Sequence, residues 1–327
     1  MRRSTFRTLT LVAAGLLVAV AAVYQWGYSA YRAPGPAADV PVVLPKGASL
    51  DAIARRLAEA GAIARPTVFA WGARLEGKAR HLKAGEYRVP AGASMREVVA
   101  LVVDGRTVVR RLTVPEGLTA IEIVDLVRAT EGLVGALDRV PEEGSLLPET
   151  YHFAFGDERA QMIERMRREM TQLLAELWPQ RQNDHPLRSA RDAVVLASIV
   201  ERETPLAAER ARVAAVLINR LNRGMPLQAD PTVIYAVSGG RGSLARALTR
   251  ADLEVESPFN TYRAKGLPPG PIANPGRASI AAVLQPATSD ELYFVADGSG
   301  GHAFARTLAE HQKNVARWRK LNAEAGK

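Results

Sequence analysis

The sequence predicts an α+β protein in three parts: an N-terminal transmembrane helix, a small strand-helix module and a larger mixed α+β domain. Three observations carry this reading. An apolar run near the N-terminus is long enough to cross a bilayer. A strand-turn-helix pattern recurs three times across residues 40–123. The second half alternates apolar-striped helices with a long Pro/Gly segment and a C-terminal hairpin. Beyond the first thirty or so residues, a chain of 327 has room for about two folded units. With 47% apolar and 24% charged residues, composition is ordinary for a globular protein, which excludes a polytopic membrane protein and global disorder.

The absence of cysteine removes disulfides, thiolate nucleophiles and Cys-ligated metal sites, so any chemistry must come from oxygen and nitrogen groups. The five histidines (His81, His152, His185, His302 and His311) include no pair at the i, i+4 spacing of a helical zinc site. No metal and no cofactor are therefore expected. A net charge of +9 favours an anionic partner: nucleic acid, acidic lipid or a carboxylate-bearing polymer.

Arg7 and Arg32 bracket 24 uncharged residues, of which Thr8 to Tyr24 are almost wholly apolar. As a helix they span about 36 Å, enough for a hydrocarbon layer of about 30 Å. Arg2, Arg3 and Arg7 precede the run and only Arg32 closely follows it, which keeps the N-terminus in the cytoplasm and exports the rest. Residues 19–21 (AVA) leave a cleaved signal peptide as the alternative. The aromatic cluster Tyr24, Trp26, Tyr28 and Tyr31 favours a permanent anchor, since such rings prefer the headgroup layer. Export argues against nucleic acid and leaves membrane lipid or cell-wall polymer as partners.

Residues 33–38 (APGPAA) read as a stiff linker that lifts the folded part off the bilayer, closing a first segment at residues 1–36. The repeat follows: residues 45–53 (PKGASLDAI), 90–98 (PAGASMREV) and, more loosely, 115–123 (PEGLTAIEI). In each copy an apolar strand (residues 40–44, 87–89 and 111–114) stops at Pro and Gly. Ser49, Ser94 or Thr119 then caps a helix. These units resemble LysM-like peptidoglycan-binding modules, here over residues 37–112; a generic small α+β domain is the alternative.

In the second half, Ser189 and Asp192 form a capping box for a helix through Val200 that reaches Glu201, Arg202 and Glu203 and ends at Thr204, before Pro205. A carboxyl at the end of an apolar helix is partly desolvated and sits against the negative helix pole, which favours its protonated form. Glu201 is then a candidate general acid. The competing reading is an ion pair of Glu201 with Arg202, Arg210 or Arg212 that stabilises the helix end, with Glu203 a supporting acid. A second helix runs from about Leu206 to Arg223 on the stripe Val213, Val216, Leu217 and Leu221, with Asn219 outside it. Asp230 reads as an N-cap with Pro231 at the first helical position. Residues 260–262 (NTY) and the Pro/Gly segment 266–276 form either a rigid surface loop or a groove wall. Residues 292–304 read as a hairpin, followed by a helix boxed by Thr307 and Glu310.

Five motifs, in this order and spacing, resemble the YceG-like endolytic murein transglycosylases over about residues 40–320. They are Glu143 to Tyr151 (EGSLLPETY), Ala197 to Glu203 (ASIVERE), Asn219 to Tyr235 (NRLNRGMPLQADPTVIY), residues 260–270 and Leu292 to Phe304. The resemblance implies a catalytic domain over residues 113–327, attached by a single-pass helix to the inner membrane with its catalytic part in the periplasm. The activity implied is cleavage of MurNAc-β-1,4-GlcNAc bonds in peptidoglycan glycan strands, in association with peptidoglycan synthases. The family's catalytic glutamate falls on Glu201, and its groove residues on Asn219, Gln228, Asp230, Tyr235, Asn260, Tyr262 and His302. Phe259 stands where the family commonly has Tyr. The implied mechanism uses one carboxyl as acid and then base, closing a 1,6-anhydro ring without water. A lysozyme-like hydrolase would need a second carboxylate, for which Asp230 is available; a non-catalytic wall-binding scaffold is the other alternative.

Overall fold

The computed structural model describes residues 2–183 and 185–325. It is a mixed α+β fold in two compact units: residues up to Arg110 together with His152–Asp157, and Arg111–Tyr151 together with residues from Glu158 onward.

In the first unit, α1 (Arg2–Arg32) is long and apolar enough to cross a membrane over Thr10–Arg32. Its last turn is nevertheless part of a folded core. The Tyr31 side chain is 6% exposed and packs so closely on Gly72 that a Cβ there would stand 2.3 Å from the ring. Residues 33–38 do not act as a spacer. Gly35 N donates to Gly92 O (3.2 Å) and Gly92 N to Pro36 O (2.7 Å), so the segment lies along the unit it was expected to hold at a distance.

The rest of this unit comprises β1 (Val40–Leu44), α2 (Leu50–Glu59), α3 (Pro66–Leu75), β2 (Gly85–Val89) and α4 (Met95–Asp104). β1 and β2 pair antiparallel, with Val42 opposite Tyr87 and Leu44 opposite Gly85. Strand alternation puts Val42, Leu44, Tyr87 and Val89 on the buried face, against Ile53 and Leu57 of α2 and Val98, Val99 and Val102 of α4. Ser49 and Ser94 cap α2 and α4 as expected, Ser94 within a capping box closed by Glu97. No side-chain cap starts α3; Pro66 at its first turn does, its ring fixing a helical φ.

The third copy of the repeat diverges in its pairing. Its strand, β3 (Val109–Thr113), begins two residues earlier than expected and pairs with β4 (Thr150–Ala154). Thr119 and Glu122 form the capping box of α5 (Ala120–Ala129) in the second unit. There follow α6 (Arg159–Leu177), extended by one 3-10 turn, α7 (Ala190–Glu203), α8 (Arg210–Asn222), α9 (Asp230–Ser238), α10 (Arg250–Leu253), α11 (Arg277–Leu284), the hairpin β5 (Tyr293–Ala296) and β6 (His302–Ala305), and α12 (Leu308–Ala325). α7 is the central element: Ala193 to Val200 are all buried, packed against α8, α9 and α11. α8 begins four residues later than the periodicity suggests, because Leu206 to Glu209 form a turn closed by Glu209 N on Leu206 O.

Candidate active site

Ser189 and Asp192 close the capping box that starts α7, and extended Thr204 ahead of Pro205 ends it. The final turn therefore carries Glu201 and Glu203 two residues apart, and each meets a different set of partners. The Glu201 side chain is 4% exposed. Its Oε1 accepts from Arg210 Nη2 at 3.0 Å and its Oε2 from the backbone N–H of Gly276 at 3.0 Å. Of the three arginines in the ion-pair reading, Arg210 is the one that pairs; Arg202 donates to Gly117 O and Arg212 pairs with Glu291.

Arg210 Nη2 also donates to Glu116 Oε2 at 3.0 Å, so one guanidinium is shared between two carboxyls. Burial and the neighbouring Glu201 charge push the Glu116 pKa up against the pull of Arg210. Arg210 Nε is buried and has no acceptor among the described residues. Gly117, at φ +80°, lies against Glu201 Cγ, where a Cβ would approach to 3.6 Å. A Cβ on Gly276 would stand 1.8 Å from Glu116 Oε1, so a side chain here would displace Glu116, a steric rather than torsional constraint.

The Gly276 N–H is positioned by the second half of the Pro/Gly segment, which is packed into the fold rather than lying on the surface: Pro271 to Gly276 are all buried. Ser198 of α7 accepts from Ile272 N at 3.0 Å. Asn274 donates through Nδ2 to Leu118 O and to Glu143 Oε1, and accepts at Oδ1 from Leu146 N. Gly117 N donates to Asn274 O, and Asn274 N to Leu118 O, stitching the wall to the turn that carries Glu116. Burial pushes the Glu143 carboxyl up to about 7, against hydrogen bonds that include Ala120 N at 2.9 Å.

Glu203 makes no hydrogen bond among the described residues. Burial first, and then the charge of Asp230, push its pKa up to about 8, with Arg220 opposing. Asp230 does not cap its helix. Gln228 N and Ala229 N are both held by Thr261, which makes Asp230 the first helical residue and frees its carboxylate to accept from Tyr262 OH at 2.5 Å. Gln228 takes up the bend at φ +47° with its side chain exposed. His302 meets Glu209 through Nδ1 (2.7 Å) and its backbone N–H (2.9 Å). Burial would raise the Glu209 pKa, but these bonds outweigh it and hold it below the usual range. Thr204 also donates to Glu209, tying the pair to the end of α7.

Of the groove residues expected from sequence, Asp230, Tyr262 and His302 thus connect to the last turn of α7. Asn219 and Asn260 use their Nδ2 donors within the fold: Asn219 donates to Ser289 O and Glu291 O, and buried Asn260 to Leu253 O and Val255 O. Tyr235 packs on Phe259 at 5.0 Å and reaches Glu143 at 3.5 Å, placing it behind the wall. Glu116, Gly276 and Asn274 were not foreseen as site residues. The second position of the repeat turn carried a signal for one of them: it is Lys46, Ala91 and Glu116 in the three copies, and only the third is acidic. A separate cavity of about 460 Å³, lined by Glu143, Arg167, Arg168, Arg191, Val194 and Pro271, contains none of Glu201, Glu116, Arg210 or Gly276.

A nearly buried carboxyl held between an arginine and a backbone N–H, with two further acids of raised pKa close in the network, defines a site suited to acid-base chemistry. Residues 42–317 match the YceG-like family, and the chain belongs to that family. It is similar to the endolytic murein transglycosylase of Bacillus subtilis (strain 168), at 30% identity over 305 residues covering 84% of this chain and 83% of that one. It is 27% identical over 325 residues to the endolytic murein transglycosylase of Streptococcus pneumoniae serotype 2 (strain D39), covering 85% of this chain and 58% of the longer relative. The crystal structure of a YceG-like protein from Listeria monocytogenes superposes with a TM-score of 0.56 at 31% identity, covering 84% of this chain and 98% of that one.

Proposed function

We propose that the protein is an endolytic peptidoglycan lytic transglycosylase in which Glu201 is both acid and base. The observation that carries this reading is the Glu201 carboxyl, 4% exposed, gripped at one oxygen by Arg210 and at the other by the Gly276 N–H, beside the unpartnered Arg210 Nε. Acid catalysis requires Glu201 to take up a proton in the reacting complex, with Glu116 retained as the carboxylate partner of Arg210. That proton passes to the glycosidic oxygen as the MurNAc C1–O bond breaks and an oxocarbenium-like centre develops. The MurNAc 6-hydroxyl then attacks C1, and its proton returns to Glu201. One C–O bond has broken and one has formed, with no water consumed, leaving a 1,6-anhydro end and a GlcNAc 4-hydroxyl.

Around this chemistry we place residues 1–36 as cytoplasmic tail, inner-membrane anchor and junction, residues 37–112 as a LysM-like wall-binding module and residues 113–327 as the catalytic domain. Asp230, Tyr262 and His302 line the glycan groove, with exposed Gln228 at its rim. Asn219, Asn260 and Tyr235 shape it from behind, Glu203 is the supporting acid, and synthases of the same strands are the natural partners. Digestion of uncrosslinked glycan strands followed by mass spectrometry tests the reading. Anhydro-ended products from the parent and none from a folded Glu201→Gln chain are expected. Reducing ends would make the protein a hydrolase, and no cleavage by the parent would make it a binding scaffold.

A further inference from the structure

We propose that α3 of the first unit is a second membrane contact, seated in the headgroup layer beside the point where α1 leaves the bilayer. This rests on reading α1 as an uncleaved anchor. Two contacts set α3 alongside the last two turns of α1. The Arg65 guanidinium, at the start of α3, lies 5.3 Å from the Trp26 ring, and Tyr31 packs against Gly72. Trp71 and Leu75 are neighbours at i, i+4 on α3 and face solvent with 66% and 71% of their surface exposed, within one turn of the level of Tyr31.

An exposed Trp–Leu pair is costly on a surface bathed only by water. It is well placed among Tyr24, Trp26 and Tyr28, which are themselves exposed at 61%, 56% and 42%. Cations interleave with these rings: Arg32 lies 4.5 Å over Tyr28, as Arg65 does near Trp26. Aromatic rings alternating with long basic side chains suit the boundary between acyl chains and phosphates. An independent feature occupies the same place. A cavity of about 320 Å³ opens between the end of α1 and the start of α3, lined by Ala30, Ala33, Pro34, Ile63, Met95 and Arg65. Its walls are mostly apolar, with Arg65 the one charged side chain among them, and a phospholipid acyl segment with its phosphate toward Arg65 fits that chemistry. The occupant is therefore lipid. The docked 33–38 segment explains why the unit lies close enough to touch the bilayer at all.

The native chain has no cysteine, so single nitroxide labels report without a background. Full-length protein carrying Ala64→Cys, Trp71→Cys or Leu75→Cys is reconstituted in nanodiscs of phosphatidylethanolamine and phosphatidylglycerol. Electron paramagnetic resonance then compares collision of each label with oxygen and with a polar nickel chelate. Labels at Leu17→Cys, in the span, and at Ser299→Cys, in the exposed β5–β6 turn, serve as references. The labels at positions 64, 71 and 75 are expected to favour oxygen several-fold more than position 299 does, and less than position 17. If positions 71 and 75 match 299 while 17 is lipid-buried, the proposal fails and the anchor stands; if 17 itself reads as aqueous, the anchor reading fails and takes the proposal with it. In label-free protein, quenching of Trp fluorescence by brominated lipid should decrease in Trp71→Phe. Undiminished quenching overturns the proposal independently of any label-induced misfolding.

Discussion

Replacing Gly276 by alanine isolates the steric basis of the Glu201 site. The added Cβ would stand 1.8 Å from Glu116 Oε1, 2.3 Å from Cδ and 2.8 Å from Cγ, so rotating the carboxylate alone gives no relief. Because real contacts of this kind rarely fall below about 3 Å, a gap of roughly 1 Å must open between the wall and the Glu116 side chain. Either Glu116 swings away and releases Arg210, or the backbone retreats and takes its N–H from Glu201 Oε2. Both movements disturb a donor on the reacting carboxyl. A misplacement of about 1 Å at a reacting centre costs on the order of 10²-fold in rate, or roughly 2.7 kcal/mol. Gly276→Ala should therefore lower kcat about 100-fold with little change in KM, measured as anhydro-product release from glycan strands by folded protein. Adding Glu116→Ala removes the obstruction, and the double variant should recover to the level of Glu116→Ala alone. A Gly276→Ala enzyme within threefold of the parent, or a double variant with no recovery, would refute the steric argument.

Glu203 makes stability depend on pH in a defined direction. Its pKa rises from the ordinary carboxyl range to about 8 in the folded chain, so the folded state keeps a proton that the unfolded state releases, and stability falls as pH rises through that window. Glu203→Gln should flatten part of this loss in denaturant titrations between pH 5 and 8, leaving a residual slope from Glu143; an unchanged slope contradicts the assignment. Asn274→Ala removes three side-chain hydrogen bonds and orphans the Leu146 N–H, with an expected loss of about 3 kcal/mol by equilibrium unfolding, and a loss under 1 kcal/mol would count against the stitched wall. Ser198→Ala leaves the buried Ile272 N–H without an acceptor and should cost about 1–3 kcal/mol, read from the same titration.

Local rules and long-range packing divided the work in a way that particular residues make plain. The caps at Ser49, Ser94, Thr119 and Ser189, the stop of α7 before Pro205 and the apolar span of α1 all depend on groups within four residues of one another or on composition along a single helix. Such features are legible because backbone hydrogen bonding and side-chain periodicity are local. Glu201 could be singled out for the same reason, being an acid at the end of an apolar helix.

Its environment could not. Arg210 shares its Nη2 between Glu116 and Glu201, and Gly276 reaches Glu201 only because Asn274 and Ser198 pin the wall from elsewhere in the chain. Asp230 satisfies every local criterion for a cap yet is drawn into the helix by Thr261, about thirty residues away. Asn219 and Asn260 carry the composition of ligand-binding residues but spend their amides on backbone carbonyls. The small linker after α1 is likewise compatible with a spacer until Tyr31 finds a core that accepts it. Sequence alone determined the capped starts of α2, α4, α5 and α7, the end of α7 and the acid that stands there. Tertiary structure alone decided which donors hold that acid, because hydrogen bonds between distant segments depend on the folded chain's spatial arrangement rather than on spacing along it.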